Sequence, residues 1–344
     1  MPKISVVTSV YNCERFIAET IQSVMNQTFT DWEYILIDDC SKDRSAEIIQ
    51  SFADKDPRIR LIRNEQNQGQ CRNLNHGIQL AKGEYIARLD HDDLCYPERF
   101  QKQLDYMEAH KETVLCGCRM DMWQDGVVSP SDSYPIHTPE EIRFSLMFGV
   151  FVIAHSSFFI RKSAMTENDI WYRKYLYAED YDMQIQFLKV GNVASLPETL
   201  ITYRIFPENC THTYSDELKN SEATEIRKKY IESLPLEGKG FLLKGLLHEL
   251  ETKADFKGFA KAFSEYAEYC GIGSPVTNRD SRGCLREMFG FACYAQRKFP
   301  ALLAWYLGSP YRDFGWLLSS KVGLSFIKNC LLHSRNNPNP TEVP

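Results

Sequence analysis

The sequence predicts an α/β fold, with a mainly parallel sheet flanked by helices and a C-terminal α-helical appendage. Three observations support this prediction. Short aliphatic and β-branched runs alternate with segments of helical spacing over the first hundred residues, which is typical of parallel sheets. Two of the runs end in acidic residues. After about residue 215 the alternation stops and only helical periodicity continues.

The elements follow in order along the chain. Four apolar runs have the length and composition of buried strands, namely residues 4–7, 34–37, 59–62 and 85–89. The segments between them place apolar residues at helical spacing: Ile17, Ile21 and Val24, then Ile48, Ile49 and Phe52, then Leu74 and Ile78. Pro97 suits the first turn of a further helix. In such sheets, ligands bind beyond the carboxyl ends of the strands.

We expect an α/β domain over residues 1–215, a helical region over 216–335 and a disordered tail over 336–344. The segment 299–332 mixes Leu, Phe and Trp with Lys and Arg. This composition predicts an amphipathic helix that lies on an anionic membrane surface. The alternative is a helix that packs on the catalytic domain or on a second copy of the chain, as in a homodimer.

Composition excludes several classes of protein. The 344 residues are 43% hydrophobic and 25% charged, which excludes a disordered or polytopic membrane chain. The net charge of −6 disfavours nucleic acid as a partner, although residues 279–344 carry nine Lys and Arg against four acids. The eleven cysteines show no disulfide or zinc spacing, and no signal peptide precedes the first strand. We therefore expect a cytoplasmic protein with free thiols.

Two acidic clusters follow apolar runs. Asp90, Asp92 and Asp93 lie within four residues, and a divalent ion such as Mg²⁺ or Mn²⁺ would relieve their repulsion. The alternative is an acidic loop that caps the next helix. Asp38 and Asp39 could accept hydrogen bonds from a nucleobase or ribose, although acids after strands are common. The chain lacks the Gly-rich phosphate loops of dehydrogenases and P-loop ATPases.

Five segments in order carry a family resemblance: ISVVTSVYN at 4–12, YILIDDCSKD at 34–43, NQGQCRN at 67–73, GEYIARLDHDD at 83–93 and AEDYD at 178–182. Over residues 3–206 the chain resembles the inverting glycosyltransferases of family 2. The resemblance implies the Rossmann-like GT-A fold. It also implies transfer of a sugar from a nucleotide-diphosphate donor, with UDP as the expected nucleotide, to an acceptor hydroxyl with inversion.

The resemblance also implies roles for individual residues. Those expected around the nucleotide are Thr8, Tyr11, Glu14, Asp38, Asp39, Arg72 and Asp90. Asp39 would contact the base, and Asp90 would approach the donor ribose or sugar. Asp92, together with Asp90, would bind the metal ion, and Asp93 would support them. The catalytic base would be Asp180, preceded by Glu179.

Physical chemistry supports the role of Asp180 independently. Inversion is a single displacement, so it needs one carboxylate base on the acceptor side, separate from the metal-binding acids. Asp180 begins a predicted helix over 180–190, and a helix N-terminus favours the ionised carboxylate. The alternative is that Glu179 or Asp180 merely caps this helix.

The chain departs from the family pattern at two positions. Ser9 replaces a frequent Pro, and Phe206 stands where many members carry a His after a Tyr-Arg pair. Either His212 substitutes, or the metal has fewer protein ligands and completes its shell with water. His155 is a structural residue or a substrate contact, and we expect the His91 side chain to point away from the acids beside it.

The resemblance, together with the residue patterns, implies a metal-dependent inverting glycosyltransferase at the cytoplasmic face of a membrane. By analogy with the family, the acceptor is a glycan on a lipid carrier, as in surface-polysaccharide assembly. A sugar-phosphate nucleotidyltransferase is the first alternative, although the first strand is not followed by a Gly-rich basic loop. The second is a non-catalytic sugar-nucleotide or glycan-binding module, which would be expected to lose Asp92 or Asp180.

Overall fold

The computed structural model describes residues 1–130, 138–148, 153–207, 209, 214–247, 249–250 and 252–272. The chain divides into two compact units, Met1–Ile142 with Phe151–Ala223 and Arg143–Val150 with Thr224–Pro344. The predicted segments 299–332 and 336–344 lie outside the described residues. The sequence-based domain division at residue 215 stays a prediction.

The first unit is built on one mixed sheet. Its strands are β1 (Ile4–Val10), β2 (Trp32–Asp38), β3 (Ile59–Arg63), β4 (Tyr85–Arg88), β5 (Leu94–Cys95), β6 (Thr113–Gln124), β7 (Val127–Pro130), β8 (Phe159–Arg161) and β9 (Asn192–Ile205). In the described part of the chain they are ordered β3-β2-β1-β4-β8-β6-β9-β5, and β7 pairs with β6.

Helices flank this sheet and continue into the second unit. They are α1 (Ile17–Met25), α2 (Ser45–Ala53), α3 (Gln70–Leu80), α4 (Arg99–Ala109), α5 (Pro139–Phe148), α6 (Lys162–Glu167), α7 (Glu179–Phe187), α8 (Asp216–Ser233), α9 (Lys239–Leu246) and α10 (Lys253–Tyr269). A 3₁₀ turn at His155–Ser157 precedes β8.

The predicted α/β architecture is confirmed, and the sheet has two halves of different character. The half β3-β2-β1-β4 is parallel throughout. In the other half β8 runs antiparallel to β4 and β6, whereas β9 runs parallel to β6. The sheet is therefore mixed, and the four predicted strands make up its parallel half.

The apolar face of α1 fixes the position of the parallel strands. Ile17, Ile21 and Val24 are fully buried in one core cluster with Ile4 and Val6 of β1. Each fully buried aliphatic side chain contributes about 1.5–3 kcal/mol through the hydrophobic effect. This packing anchors the helix that follows β1 and leaves the carboxyl end of the strand at the edge of the sheet.

The second unit has its own aromatic core. Phe144 of α5 packs against Phe263 and Tyr266 of α10, with ring centroids 5.1 and 5.4 Å apart. Thr252 and Asp255 form a capping box at the start of α10. No helix within the described ranges has the length and hydrophobicity needed to cross a membrane.

Candidate functional site

The candidate site lies at the carboxyl ends of the parallel strands. β1 and β2 end side by side, with Val10 opposite Asp38. The chain then turns through Asn12, whose φ of 49° lies in the left-handed region that Asn tolerates better than most residues. Asn12 Oδ1 accepts a hydrogen bond from Lys42 N at 2.8 Å, and Asn12 N donates to Ser41 Oγ at 3.0 Å. The turns after β1 and β2 are thereby joined.

Asp39 holds the loop between β3 and α3. Its Oδ1 accepts hydrogen bonds from Asn64 Nδ2 and Gln68 N, both at 2.8 Å, and its Oδ2 accepts one from Gly69 N at 2.9 Å. Gly69 has a φ of 86°, which favours glycine. Asp39 is only 2% exposed, so its carboxylate fixes the loop that leads into α3.

A chain of hydrogen bonds runs from this loop to the acids after β4. Asn64 Nδ2 donates to Asn73 Oδ1 at 2.8 Å, and Asn73 Nδ2 donates to Ser9 Oγ at 3.0 Å. The Ser9 carbonyl oxygen lies 3.0 Å from His91 Nδ1. The His91 ring is thus bonded to the backbone of β1, and Asp39 and the acids beside His91 belong to one connected edge.

Like Asp39, two further residues assigned to the nucleotide have partners inside the protein. The Thr8 hydroxyl is buried and donates to the Leu89 carbonyl at 2.8 Å. Asp38 is also buried, and its Oδ2 lies 3.5 Å from Arg63 Nε. Both side chains therefore stabilise the edge from within the sheet.

Tyr11, Arg72 and Glu14, which the resemblance also assigns to the nucleotide, reach the surface. Tyr11 is 45% exposed at the end of β1, and Arg72 is exposed on the first turn of α3. Glu14 Oε2 accepts a hydrogen bond from Arg44 N at 2.9 Å, which caps the start of α2. Tyr11 and Arg72 thus present side chains to solvent at this edge.

Asp90, Asp92 and Asp93 form a compact cluster. Ligand atoms of the three carboxylates lie within 4.8 Å of one another. Burial raises the pKa of Asp92, and burial raises the pKa of Asp93 well above its usual range. The negative charges of neighbouring acids add to both shifts. Hard oxygen donors gathered in this way fit Mn²⁺ or Mg²⁺.

Arg88 gives Asp90 a different state. This buried guanidinium forms a two-pronged ion pair with Asp90, and Ser156 Oγ lies 2.8 Å from Asp90 Oδ2. Burial acts to raise the pKa of Asp90, but Arg88 outweighs it and the pKa falls to about 2. In contrast, no side-chain donor from the described part of the chain bonds the Asp92 carboxylate, which is influenced by a hydrogen bond from its own backbone N–H. Asp92 is therefore the acid most open to a ligand.

The end of β9 supports the loop that carries the cluster. Arg204 Nη1 donates to the Asp92 carbonyl at 3.0 Å, and Arg204 N donates to Asp93 Oδ1 at 3.0 Å. Phe206, which stands where many family members carry His, packs on Phe16 with ring centroids 5.0 Å apart. His212 lies outside the described residues.

A second acid pair stands at the start of α7. Asp180 Oδ1 accepts a hydrogen bond from Tyr181 N at 2.6 Å. Burial raises the pKa of Asp180 to about 6, although this backbone bond opposes the shift. Burial, followed by the charge of Asp180, raises the pKa of Glu179 to about 8. The helix N-terminus alone predicts easier ionisation, so the effect of burial outweighs that of the helix here.

His155 lies beside this pair. Its Nε2 lies 2.7 Å from the Tyr172 hydroxyl, and its Nδ1 lies 3.8 Å from Glu179 Oε1. Burial, together with the positive charge of Arg88, holds the pKa of His155 well below its usual range. His155 is therefore a neutral, hydrogen-bonded residue behind Glu179, which favours its structural interpretation.

The two acid groups are electrostatically linked. The charges of Arg88 and Asp90 both act on the pKa of Asp180. Sequence reasoning missed Arg88, Ser156 and Arg204, which support these acids from β4, the 3₁₀ turn and β9. The one available signal was an Arg within an otherwise apolar strand, two positions before Asp90.

Comparison with known proteins gives a consistent picture. The family described as Glycosyl transferase family 2 matches residues 5–168. The chain is 34% identical over 193 residues to the glycosyltransferase EpsE of Bacillus subtilis, covering 55% of this chain and 68% of EpsE. It is 30% identical over 204 residues to the amylovoran biosynthesis glycosyltransferase AmsE of Erwinia amylovora, covering 58% of this chain and 75% of AmsE.

A solved structure shares the fold. The crystal structure of S. aureus TarS 1–349 in complex with UDP-GlcNAc superposes with a TM-score of 0.61 at 17% identity, covering 97% of this chain and 92% of that chain. At this identity the similarity concerns the fold alone, and it confirms the GT-A architecture.

The bonds made by Asp39 predict a role in stability. Asp39→Asn keeps one acceptor oxygen but sets an NH₂ group against the N–H donors of the loop. We expect the free energy of unfolding to fall by about 2 kcal/mol, because hydrogen bonds to a buried charge are among the stronger ones. Urea denaturation of the ligand-free protein measures this. Asp54→Asn is the control, since Asp54 directly follows α2, is exposed and accepts a hydrogen bond from Gln50 Nε2 at 2.7 Å. Equal losses in the two variants would contradict the prediction.

Proposed function

The chain belongs to glycosyltransferase family 2, and on that premise we propose that it transfers a sugar with inversion from a nucleotide-diphosphate donor to an acceptor hydroxyl. The observation that carries the proposal is the pairing of two acid groups in different states. The cluster of Asp90, Asp92 and Asp93 has ligand atoms within 4.8 Å. Beside it stands Asp180, an acid with a pKa raised to about 6 by burial.

The donor side is assigned to the edge formed by β1, β2 and β4. UDP is the proposed nucleotide, supported by the UDP-GlcNAc bound to TarS, which shares this fold. Tyr11 and Arg72, which are exposed at this edge, are proposed to surround the base and the ribose. Asp39 is proposed to reach the base only from behind, since its carboxylate also holds the loop between β3 and α3. Thr8, Glu14 and Asp38 would support this pocket, since their side chains bond neighbouring elements.

Asp92, with Asp90 beside it, would hold Mn²⁺ or Mg²⁺. The fit rests on the donor set, which consists of closely spaced carboxylates whose repulsion a cation relieves. When bound, the cation stabilises the charge that develops on the leaving diphosphate. Arg88 keeps Asp90 ionised with or without the metal ion. Asp90 can therefore accept a hydrogen bond from a hydroxyl group of the nucleotide sugar.

Asp180 is proposed as the general base. The acceptor oxygen forms a bond to the anomeric carbon as the bond from that carbon to the diphosphate breaks. The nucleoside diphosphate leaves with the electron pair, and the acceptor proton moves to Asp180. A base with a pKa near the working pH suits this transfer. Glu179 has a higher pKa, so it stays protonated at neutral pH and leaves the base role to Asp180.

The acceptor is proposed to be a growing polysaccharide, supported by the role in amylovoran biosynthesis given in the name of AmsE. A lipid-linked acceptor, contact with the inner face of the membrane and a homodimer stay predictions. The lipid-linked acceptor rests on analogy with the family, and the membrane contact and the homodimer rest on residues 299–332, outside the described part of the chain.

A panel of nucleotide sugars with Mn²⁺ tests the function directly. Release of nucleoside diphosphate together with a glycosylated acceptor supports the transferase. Release of pyrophosphate from a nucleoside triphosphate and a sugar phosphate would instead indicate a nucleotidyltransferase. Tight binding of nucleotide without turnover would indicate a non-catalytic module.

Replacing the proposed base, Asp180, should slow turnover without changing the affinity for the nucleotide sugar. For Asp180→Asn we expect kcat to fall by about 10²–10⁴-fold, because a positioned base contributes a factor of this size. Donor affinity, measured by calorimetry, should not change. Asp216→Asn is the control, since the Asp216 side chain is 92% exposed. An unchanged kcat in Asp180→Asn would remove this residue from the base role.

The pKa of Asp180 predicts an acid limb in the pH profile. The base is active when ionised, so kcat/KM should fall about tenfold per pH unit below about pH 6 and level off above it. The residual activity of Asp180→Asn should lack this limb. A wild-type profile that stays flat down to pH 5 would contradict the raised pKa.

Removing the charge of Asp92 should make the binding of UDP independent of Mn²⁺. In Asp92→Asn we expect UDP to bind equally with Mn²⁺ and with chelator, whereas wild type should bind UDP more tightly with Mn²⁺. Thermal shift and calorimetry measure this difference. Asp121→Asn is the control. Asp121 lies on β6, and its carboxylate accepts a hydrogen bond from the Tyr96 hydroxyl. Persistent Mn²⁺ dependence in Asp92→Asn would exclude Asp92 as a ligand.

A further inference from the structure

We infer that Glu222 of α8 is a positioning residue for the base, because it caps the helix that carries Asp180. The inference rests on the proposed function. The Glu222 carboxylate accepts hydrogen bonds from three successive backbone N–H groups that lead into α7. These are Leu176 N at 2.9 Å to Oε1, Tyr177 N at 2.9 Å to Oε2 and Ala178 N at 3.0 Å to Oε2.

The start of α7 needs such a partner. The N-terminal N–H groups of a helix have no acceptor within the helix, and side-chain oxygens commonly satisfy them. The N-cap position of α7 is Ala178, whose side chain has no oxygen, and α7 has no side-chain cap of its own. Glu222 supplies an acceptor for the N–H of this N-cap residue from 44 residues further along the chain, and for the two N–H groups that precede it. Its negative charge is also favoured at a helix N-terminus.

This cap lies next to the reacting group. Asp180 is the second residue of α7, so its carboxylate moves with the first turn of the helix. A second tie fixes the same segment, since Arg173 Nε donates to Asp182 Oδ2 at 2.8 Å. The entry into α7 is therefore held on both sides of the base. Loss of the Glu222 bonds would free one side and change the direction in which Asp180 faces an acceptor.

Glu222 is separate from the machinery already assigned. It lies beyond residues 5–168 matched by the family and beyond the resemblance over 3–206. It bonds backbone N–H groups, and its partners precede the base rather than the acid cluster. We therefore expect it to affect the rate of transfer and not the affinity for the donor.

The test compares Glu222→Ala and Glu222→Gln with Glu225→Ala. Glu225 lies one turn further along α8, is 54% exposed and pairs with Lys229. Hydrogen exchange of a peptide covering residues 174–182 reports the cap without requiring activity. Calorimetry with UDP and Mn²⁺ reports donor affinity, and steady-state kinetics report kcat.

We expect faster exchange over residues 176–178 in Glu222→Ala, with a smaller change in Glu222→Gln, which keeps one acceptor oxygen. Because small misplacements of a catalytic group are costly, kcat should fall about 10–100-fold in Glu222→Ala. The UDP dissociation constant should stay at its wild-type value, and Glu225→Ala should match wild type in all three measurements. The graded loss from Gln to Ala distinguishes a cap from a general loss of structure.

Unchanged exchange in Glu222→Ala would overturn the cap. Faster exchange in Glu222→Ala with an unchanged kcat would overturn the positioning role. A loss of UDP affinity that accompanies the fall in kcat would also overturn it. A wild-type chain that uses no nucleotide sugar would contradict the proposed function and, with it, the positioning role. The exchange measurement would still decide the cap itself, so the two failures are distinguishable.

Discussion

One buried cation compensates the acids that the parallel strands bring to a single edge. Arg88 lies at the end of β4, is 2% exposed and pairs with Asp90 through two nitrogens. Burial raises the pKa of Asp92, Glu179 and Asp180, and the charge of Arg88 opposes this rise in all three. Removing one partner of a buried ion pair typically costs about 3–5 kcal/mol, so the edge depends on this guanidinium. Arg88 thereby offsets negative charge in both acid groups.

Three aspartates of this site behave differently because their surroundings differ. Asp39 is surrounded by N–H donors, and Asp90 by a guanidinium. Asp180 has one backbone donor and is otherwise buried, which raises its pKa. These surroundings suit a structural acid, an ionised ligand and a base, respectively. A mechanism that needs acids of distinct function can therefore be built from one residue type placed in three environments.

The sequence predicted the parallel half of the fold because its strands are short, apolar and followed by turns. The run at 34–37 became β2, Trp32–Asp38, and the helical spacing of Leu74 and Ile78 became α3, Gln70–Leu80. The later strands escaped prediction for physical reasons. β9 contains Pro197, a residue that argues against a central strand, and its register with β6 is irregular near Cys118.

The acids of the site were predictable because topology alone gathers residues that follow parallel strands. Their supporting residues were not, since each depends on a contact between distant parts of the chain. Ser156 lies 66 residues from Asp90, and Arg204 lies 112 residues from Asp92. No local pattern encodes such pairs, because burial and hydrogen bonding decide them only after the sheet is complete.

The aromatic residue at position 206 shows how the end of β9 can serve the site without supplying a ligand. Phe206 packs on Phe16, and the Arg204 guanidinium lies 4.9 Å from the centre of the Phe16 ring. Arg204 also pairs with Glu19 of α1, so its position is fixed on two sides. From there it bonds the Asp92 carbonyl and holds the backbone of the acid loop. Phe206 thus packs on the same phenyl ring of Phe16 as the guanidinium that holds the backbone of Asp92.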